Sequence, residues 1–365
     1  MADRQGLAGA LARIEQVKSR RRGRFYLRDE RITLSHGSGG KATHNLIEGL
    51  FAQAFANPVL DPLDDAAVCP LDGVDARLAF TTDSYVVSPL FFPGGDIGEL
   101  AVYGTVNDLA VAGATPRFLA AAFILEEGFP IADLRRIVHS MGQAAEAAGV
   151  VIATGDTKVV ERGKADGLYI NTTGVGVVRS DAAVSVAGAR PSDRVLVSGR
   201  IAEHGIAVML ARDDLAIETD VASDTAPLNG LAAALLDRLG ADVHCLKDPT
   251  RGGVATACNE IALQSGVAIA LVESAVPVRP DVRGACELLG IDPLHIANEG
   301  KLLAVVAHQR AEEALEVMRA HPAGTHAALV GDVLEEPDGM VFVRTGIGGR
   351  RVLDMLVGDA LPRIC

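Results

Sequence analysis

The chain has 365 residues and a mass of 38.0 kDa, a length that predicts about two domains. Hydrophobic residues make up 49% and charged residues 22%, which excludes a mainly disordered chain, a collagen and a small disulfide scaffold. A formal charge of −13 argues against nonspecific DNA binding, which needs a basic field, but leaves room for an anionic substrate bridged through magnesium.

Charge is uneven along the chain. Residues 1–31 carry nine Lys/Arg against four Asp/Glu, dominated by Ser19-Arg20-Arg21-Arg22-Gly23-Arg24. Leu7, Leu11, Ile14 and Val17 form a short helical stripe before that run. Residues 1–30 therefore read as a basic N-terminal extension, either a loosely docked helix or a segment for a partner or an anionic surface. The 39 glycines predict many tight turns or backbone close to a ligand.

From residue 31 the expected elements follow in order. His36-Gly37-Ser38-Gly39-Gly40-Lys41 predicts a glycine-rich turn, then a helix with Leu46, Ile47, Leu50 and Phe51 facing inward. A strand over 78–82 ends at Asp83. A helix is expected over about 97–112, closed by Gly113 and Pro116, and then a buried strand over 118–125. Pro130 opens an amphipathic helix with Leu134, Ile137, Val138 and Met141 on one face, and Gly149 stops it. A strand over 150–153 leads into Thr154-Gly155-Asp156-Thr157-Lys158, and another spans 168–178. A second cycle begins near 181, with a strand over 194–199, a helix near Glu203 and helices over about 226–239 and 252–265. A strand over 302–306 and a helix over 310–320 complete it. The expected fold class is α/β (α+β), with two mixed domains, 31–180 and 181–345. A tail over 346–365 follows, loosened by Gly358 and Pro362.

No apolar stretch of about 18 residues lacks charge, so no membrane span is expected, and the start lacks the apolar core of a secretory leader. Cys69, Cys245, Cys258, Cys286 and Cys365 form no Cys-x-x-Cys pair. Reduced thiols and a cytoplasmic location are the expectation.

Acidic or polar groups recur at expected strand ends and loop starts. They are Asp64-Asp65-Ala66-Ala67, Thr81-Thr82-Asp83, Asn107-Asp108, Gly155-Asp156 and Asp248-Pro249-Thr250. Each alone can be a turn, because Asp caps nearby backbone N–H groups. Together they can gather magnesium around nucleotide phosphates, since that ion takes oxygen ligands from separate loops. Lys158 and Arg251 sit beside two of these turns, as stabilisers of a transferring group or as surface ion-pair partners. A P-loop and a Rossmann fingerprint are both absent. Glu203-His204-Gly205 and Asn298-Glu299-Gly300 can cap a helix or turn, and Glu299 can instead serve as a general base. Cys365 ends the chain on a Gly- and Pro-punctuated arm, suited to carrying a covalent group, with a chance terminal cysteine as the alternative.

These motifs, in this order, resemble the aminoimidazole ribonucleotide synthetase-like (PurM-like) superfamily of ATP-using enzymes. Within it, His36-Gly37-Ser38-Gly39-Gly40, Gly155-Asp156-Thr157-Lys158-Val159-Val160 and the terminal Pro362-Arg363-Ile364-Cys365 are similar to the hydrogenase-maturation carbamoyl dehydratases. The resemblance covers about residues 31–365, and the basic extension departs from it. It implies an N-terminal domain that forms a homodimer through a shared β-barrel, a C-terminal α/β domain, and ATP with Mg2+ in the cleft between them. It also implies that Cys365 receives a carbamoyl group from the carbamoyltransferase HypF. ATP-dependent dehydration then yields a thiocyanate, and the cyanide passes to iron on the HypC–HypD complex for nickel–iron hydrogenase.

On this resemblance Gly37, Gly39, Gly40, Asp64, Asp83, Asn107, Asp108, Gly155, Asp156, Thr157 and Lys158 bind ATP. Asp65, Asp83, Asp108 and Asp248 hold the metal, with Asp64 and Asp156 as further candidates. Cys365, Lys158, Arg251 and Glu299 are catalytic. No nucleic acid or membrane partner is implied. Three rivals stand beside this reading. A selenophosphate synthetase is expected to carry Cys or selenocysteine in the glycine-rich loop, where this chain has Ser38. A thiamine-phosphate kinase has no use for a terminal thiol. A non-catalytic thiol carrier or scaffold has no need of the aspartate motifs.

Overall fold

A computed structural model describes residues 29–55, 57, 59–60, 62–71, 76–212, 219–358 and 361–365. The helical stripe and arginine run expected in the basic extension lie outside the described residues.

A short helix α1 (Lys41–Leu46) precedes the first sheet. The first domain then runs β1 (Ala67–Pro70), β2 (Arg77–Tyr85), the ribbon β3 (Phe91–Phe92) and β4 (Gly95–Asp96), and α2 (Ile97–Val111). It continues through β5 (Ala114–Glu126), α3 (Ile131–Ala148), β6 (Val151–Val160) and β7 (Leu168–Val178). Its five-stranded sheet has the order β1-β2-β7-β5-β6, antiparallel except for the pair β5–β6, which α3 joins as a crossover.

Helix α2 starts where Asp96 accepts hydrogen bonds from the amides of Gly98 (2.7 Å) and Glu99 (3.1 Å). It lies between the first sheet and the second domain, touching β2, β5 and β7 on one side. That placement explains why it is apolar on nearly every face. Helix α3 packs chiefly against α2 and buries Ile137, Met141, Ala144, Ala145 and Ala148. Val138, expected on the same stripe, is exposed, because the buried stripe turns toward the alanines. Gly149 ends the helix in the left-handed region, at φ 69°.

The second domain runs β8 (Arg194–Val197), α4 (Glu203–Leu210), α5 (Asn229–Leu239), β9 (Val243–Lys247), α6 (Gly253–Ser265), β10 (Ala268–Val272) and α7 (Pro280–Leu289). It ends with β11 (Leu303–Val306), α8 (Ala311–Ala320), β12 (Ala328–Leu334), β13 (Met340–Arg344) and β14 (Arg350–Val352). The seven strands lie in the order β14-β13-β10-β12-β8-β11-β9. Along β8 and β11 alternate residues enter different cores. Val195, Val197, Leu303 and Val305 pack with α4 and α6, while Leu196, Ala304 and Val306 pack with α5 and α8. Burial of both faces makes these strands continuous apolar runs in the sequence.

Further expectations are corrected. The strand expected to be buried over 118–125 exposes Phe118 and Ile124, on the sheet face turned away from α2. After Leu46 the helix passes into a π turn (Ile47–Phe51), and Leu50 and Phe51 are exposed rather than inward, since no layer among the described residues covers them. The strand expected over 150–153 runs on to Val160, so Gly155-Asp156-Thr157-Lys158 is extended edge strand and not a turn. The tail is packed: Arg350–Val352 joins the second sheet, Leu353 and Ile364 are buried, and the amide of Lys41 donates to the carbonyl of Leu356 at 3.0 Å.

Candidate active site

Four of the predicted aspartates converge between the domains. Antiparallel pairing of Ala67 with Phe80 sets Asp65, two residues ahead of β1, beside the end of β2 that carries Asp83. Helix α2 packs on β2 and places Asp108 so that the hydroxyl of Thr81 donates to it at 2.7 Å. The edge strand β9 delivers Lys247 and then Asp248 from the other domain. Carboxylate oxygens of Asp65, Asp108 and Asp248 lie within 4.8 Å of one another. They line a cavity of about 330 Å³ together with Asp83, Thr250, Arg251 and Glu260.

Burial, then mutual repulsion, shapes the proton affinities of this cluster. Burial pushes Asp65 and Asp83 up, and burial with the charges of Asp83 and Asp248 carries Asp108 well above the carboxylate range. Asp248 is pushed up to about 8, by burial first and the Asp65 charge second. Lys247 pairs with Asp65 and, at 3.0 Å, with Glu260. Burial alone would raise Glu260, but the Lys247 charge and the bond from His44 outweigh it and bring Glu260 down to about 2. An all-oxygen donor set with this excess of negative charge fits a hard divalent cation such as magnesium.

The glycine-rich turn roofs the cavity. The guanidinium of Arg251 donates to the carbonyl oxygen of Gly37 at 2.8 Å. Gly39 has φ +77°, and a Cβ there would lie 2.8 Å from the Arg251 carbonyl oxygen. A Cβ on Gly40 would meet the Leu356 carbonyl oxygen at 2.4 Å. Glu299 is 3% exposed, and one of its carboxyl oxygens has no hydrogen-bond partner among the described residues. Burial, then the charges of Asp248, Asp224 and Asp83, raise its proton affinity well above the usual range.

The terminal residues lie against this site. The amide of Val86 donates to a carboxylate oxygen of Cys365 at 3.0 Å, and the amide of Ser88 donates to the carbonyl of Arg363 at 3.2 Å. Arg212 donates to the carbonyls of Pro362 (2.7 Å) and Arg363 (2.8 Å). Cys365, Arg251, Ser84 and His295 line a small cavity of about 80 Å³. Arg251 therefore borders both cavities. Negative charge at Cys365 is the chief cause that raises its pKa, ahead of Asp83 and Glu299.

Other predicted residues lie elsewhere. Asp64 accepts from the amide of Val186 at 2.8 Å and the hydroxyl of Ser185, a cap outside the acidic cluster, and lines a second cavity beside it. The Asn107 side chain accepts from the amide of Leu228 (2.7 Å) and donates to the carbonyls of Ala226 (3.1 Å) and Glu299 (3.3 Å). It is an interdomain strut whose polar atoms are occupied within the protein. Gly155, Asp156, Thr157 and Lys158 lie on exposed β6, with Lys158 paired to Asp156 at 2.7 Å. The ladder Asp83–Thr172–Ala121–Gly155 separates them from Asp83 by three strand spacings, roughly 14 Å. Strand alternation turns Asp156 and Lys158 to the opposite face. Within one chain they are not part of the acidic cluster.

Sequence reasoning missed Lys247, Glu260 and His44. Lys247 alone left a trace, as a cation closing the fully buried strand β9 immediately before Asp248. It also missed an apolar cavity of about 520 Å³ lined by Ile47, Leu60, Ala66 and Val68, which shares His44 and Glu260 with the acidic one.

Comparison with known proteins accords with this geometry. The AIR synthase related N-terminal domain matches residues 63–178 and the corresponding C-terminal domain matches 190–344. The carbamoyl dehydratase HypE of Azotobacter vinelandii is 54% identical over 94% of this chain and 99% of its own. A crystal structure of a HypE–HypF complex superposes with a TM-score of 0.81 at 50% identity, covering 85% of this chain and 99% of that one. A crystal structure of HypE in complex with ATP gives 0.77 at 50% identity, covering 92% and 100%. With its paired domains, its interdomain acidic cluster and its docked terminal cysteine, the chain belongs to the HypE family of AIR synthase-related carbamoyl dehydratases.

Proposed function

We propose that this chain uses ATP to dehydrate a carbamoyl group carried on the Cys365 thiol, leaving a thiocyanate whose cyanide is destined for the iron of a nickel–iron hydrogenase. The observation that carries the reading is the position of Arg251, which borders the acidic cavity on one side and the Cys365 cavity on the other. A nucleotide phosphate among the aspartates and a carbamoyl oxygen on Cys365 would meet at that guanidinium.

The carbamoyl oxygen attacks the γ-phosphorus of ATP and ADP departs. The phosphorylated oxygen then leaves as phosphate while the nitrogen loses two protons, one to Glu299 and one to the departing phosphate, completing C≡N. Asp65, Asp83, Asp108 and Asp248 would hold Mg2+, which offsets phosphate charge when bound. Arg251 stabilises charge on the transferring group and the leaving oxygen. Glu299 takes a proton from the nitrogen. Its raised proton affinity makes the ionised form a stronger base than an ordinary carboxylate. The apolar cavity beside His44 suits the adenine.

Lys158 enters through a second copy. The sheet face turned away from α2 exposes Phe80, Phe118, Ile124, Val151 and Val177, and β6 is an unpaired edge among the described residues. A homodimer closed over this face would cover that surface and carry Asp156 and Lys158 toward the other copy. HypF would donate the carbamoyl group and the HypC–HypD complex would accept the cyanide, in the cytoplasm. A HypE–HypF complex is known for a relative, and no described helix here is long and apolar enough to cross a membrane. The decisive experiment incubates the chain with HypF, carbamoyl phosphate and ATP. The Cys365 peptide should gain one carbamoyl mass, then lose one water with further ATP. An adduct that never loses water would leave a carrier and remove the dehydratase.

A further inference from the structure

Cys365 needs contacts that aim it. Two motifs that the sequence left separate, Glu203-His204-Gly205 and Asn298-Glu299-Gly300, are packed against each other here. The amide of Ala202 donates to Oδ1 of Asn298 at 2.7 Å, and the amide of Gly205 donates to the carbonyl of Ala297 at 3.2 Å. A Cβ on Gly205 would lie 2.3 Å from the Ile296 side chain, so the approach needs glycine. Ala202 adopts φ +72°, a left-handed conformation that a non-glycine residue adopts only when its surroundings impose it. The result is that His204, on the first turn of α4, points into the interior at 0% exposure.

Both ring nitrogens of His204 have partners, and the partners dictate the tautomer. Nε2 lies 2.8 Å from the carbonyl oxygen of Ile364, which can only accept. Nε2 must therefore carry the hydrogen, and Nδ1 must accept. Ser223 Oγ lies 2.8 Å from Nδ1 and is the donor. Ser223 Oγ is in turn 2.6 Å from the hydroxyl of Thr225 and accepts from the Thr225 amide at 3.1 Å. A directed chain results: the Thr225 hydroxyl donates to Ser223, Ser223 to His204, and His204 to the peptide carbonyl that precedes Cys365. Burial lowers the pKa of His204, which keeps the ring neutral as this chain requires. Phe92 stands edge-on to the ring, with centroids 5.5 Å apart, and packs against it.

The segment that holds Ser223 also supports Glu299. Asp224 accepts from the Glu299 amide at 3.1 Å and pairs with Lys301 at 2.9 Å. One short stretch thus anchors the proton acceptor through Asp224 and the tail through Ser223 and His204.

We infer that His204, oriented by Ser223, is a positioning residue that latches the Ile364 carbonyl and so aims Cys365 at Arg251 and Glu299. This rests on the function proposed above for Cys365, but the latch can be tested without it. Alkylation of Cys365 by iodoacetamide in the full-length chain, followed on the C-terminal peptide with Cys69 as internal reference, reads docking directly and needs neither ATP nor carbamoyl phosphate. His204→Leu removes the donor and should speed Cys365 alkylation about tenfold, as expected for a lost buried hydrogen bond. His204→Gln places an amide N–H near the Nε2 position and should stay within about threefold of wild type. Ser223→Ala, which deletes only the orienting hydroxyl, should speed alkylation about threefold and keeps the test open if the leucine variant does not fold. In the carbamoylated chain, His204→Leu should slow single-turnover loss of water while leaving the KM for ATP unchanged. Wild-type alkylation rates in both His204→Leu and Ser223→Ala, or in Ser223→Ala alone should the leucine variant not fold, would overturn the latch. Faster alkylation in a protein whose wild type never loses water would keep the latch and sink the dehydratase.

Discussion

The guanidinium of Arg251 and the carbonyl oxygen of Gly37 are 2.8 Å apart, and that bond closes the glycine-rich turn over the acidic cavity. The turn serves less as a flexible phosphate loop than as a roof whose glycines admit the backbone of residues 251 and 356. What lies beneath it, a group of carboxyls raised by burial and by one another, leads to the first prediction.

Asp248 has its folded-state pKa raised to about 8 from an ordinary 3.8. A raised carboxyl contributes stability that is present below the unfolded pKa and lost as pH rises through the folded one. Without divalent cation, its contribution should therefore fall between about pH 4 and pH 8, by at most ~1.4 kcal/mol per pH unit. Magnesium, by neutralising the ionised cluster, should raise the melting temperature more at pH 8 than at pH 5. Asp248→Asn should flatten that difference. A magnesium gain independent of pH in the wild type would exclude this account.

Asp83→Asn changes little volume but deletes a charge from the cavity. ATP turnover should fall about a hundredfold or more with circular dichroism unchanged. Magnesium-dependent turnover at the wild-type level would remove Asp83 from the site.

Lys158 and Asp83 offer a test of the dimer. Light scattering should give about twice 38.0 kDa. If Lys158 acts across the dimer, Lys158→Ala and Asp83→Asn are each inactive alone but complementary when mixed. Each heterodimer then restores one intact site, and subunit exchange at equal amounts should recover about a quarter of the wild-type sites. No recovery after verified exchange would place Lys158 outside the partner's site.

Glu299→Gln keeps size and burial but cannot take a proton. The kcat for loss of water should drop about a hundredfold or more, with little change in the KM for ATP. In the wild type the same step should accelerate as pH rises through the pKa of this carboxyl, which burial and the neighbouring charges of Asp248, Asp224 and Asp83 raise above the ordinary range. A pH-independent rate in the wild type, with a glutamine variant of full activity, would assign the proton to another group.

Cys365→Ala should abolish carbamoyl uptake. The thiol is half-buried against the core that Ile364 enters, so its loss should cost about 1 kcal/mol or less, seen as a small drop in melting temperature. An adduct on Cys69, Cys245, Cys258 or Cys286 instead would end the carrier reading.

The sequence by itself was enough for the two α/β domains and for the motifs from which Asp65, Asp83, Asp108 and Asp248 converge, because strand runs, helix stoppers and ordered motifs are local properties of the chain. Glycine at 149 ends its helix as read, and the strand over 168–178 stands where its pattern placed it. Only the tertiary structure decided which motif residues meet. Asp64 and Asp65 are neighbours in sequence, yet one caps Val186 and the other joins the cluster, because the chain bends at Asp65 just ahead of β1 and sends the two side chains in different directions. Asn107 became a strut and Asp108 a site residue by the same kind of turn, on a helix. Asp156 and Lys158 went to the far edge of the sheet because strand order is a long-range choice that no local pattern records. His204 and Ile364, 160 residues apart, found each other only because a strained turn at Ala202 and the packing of two domains aimed one at the other.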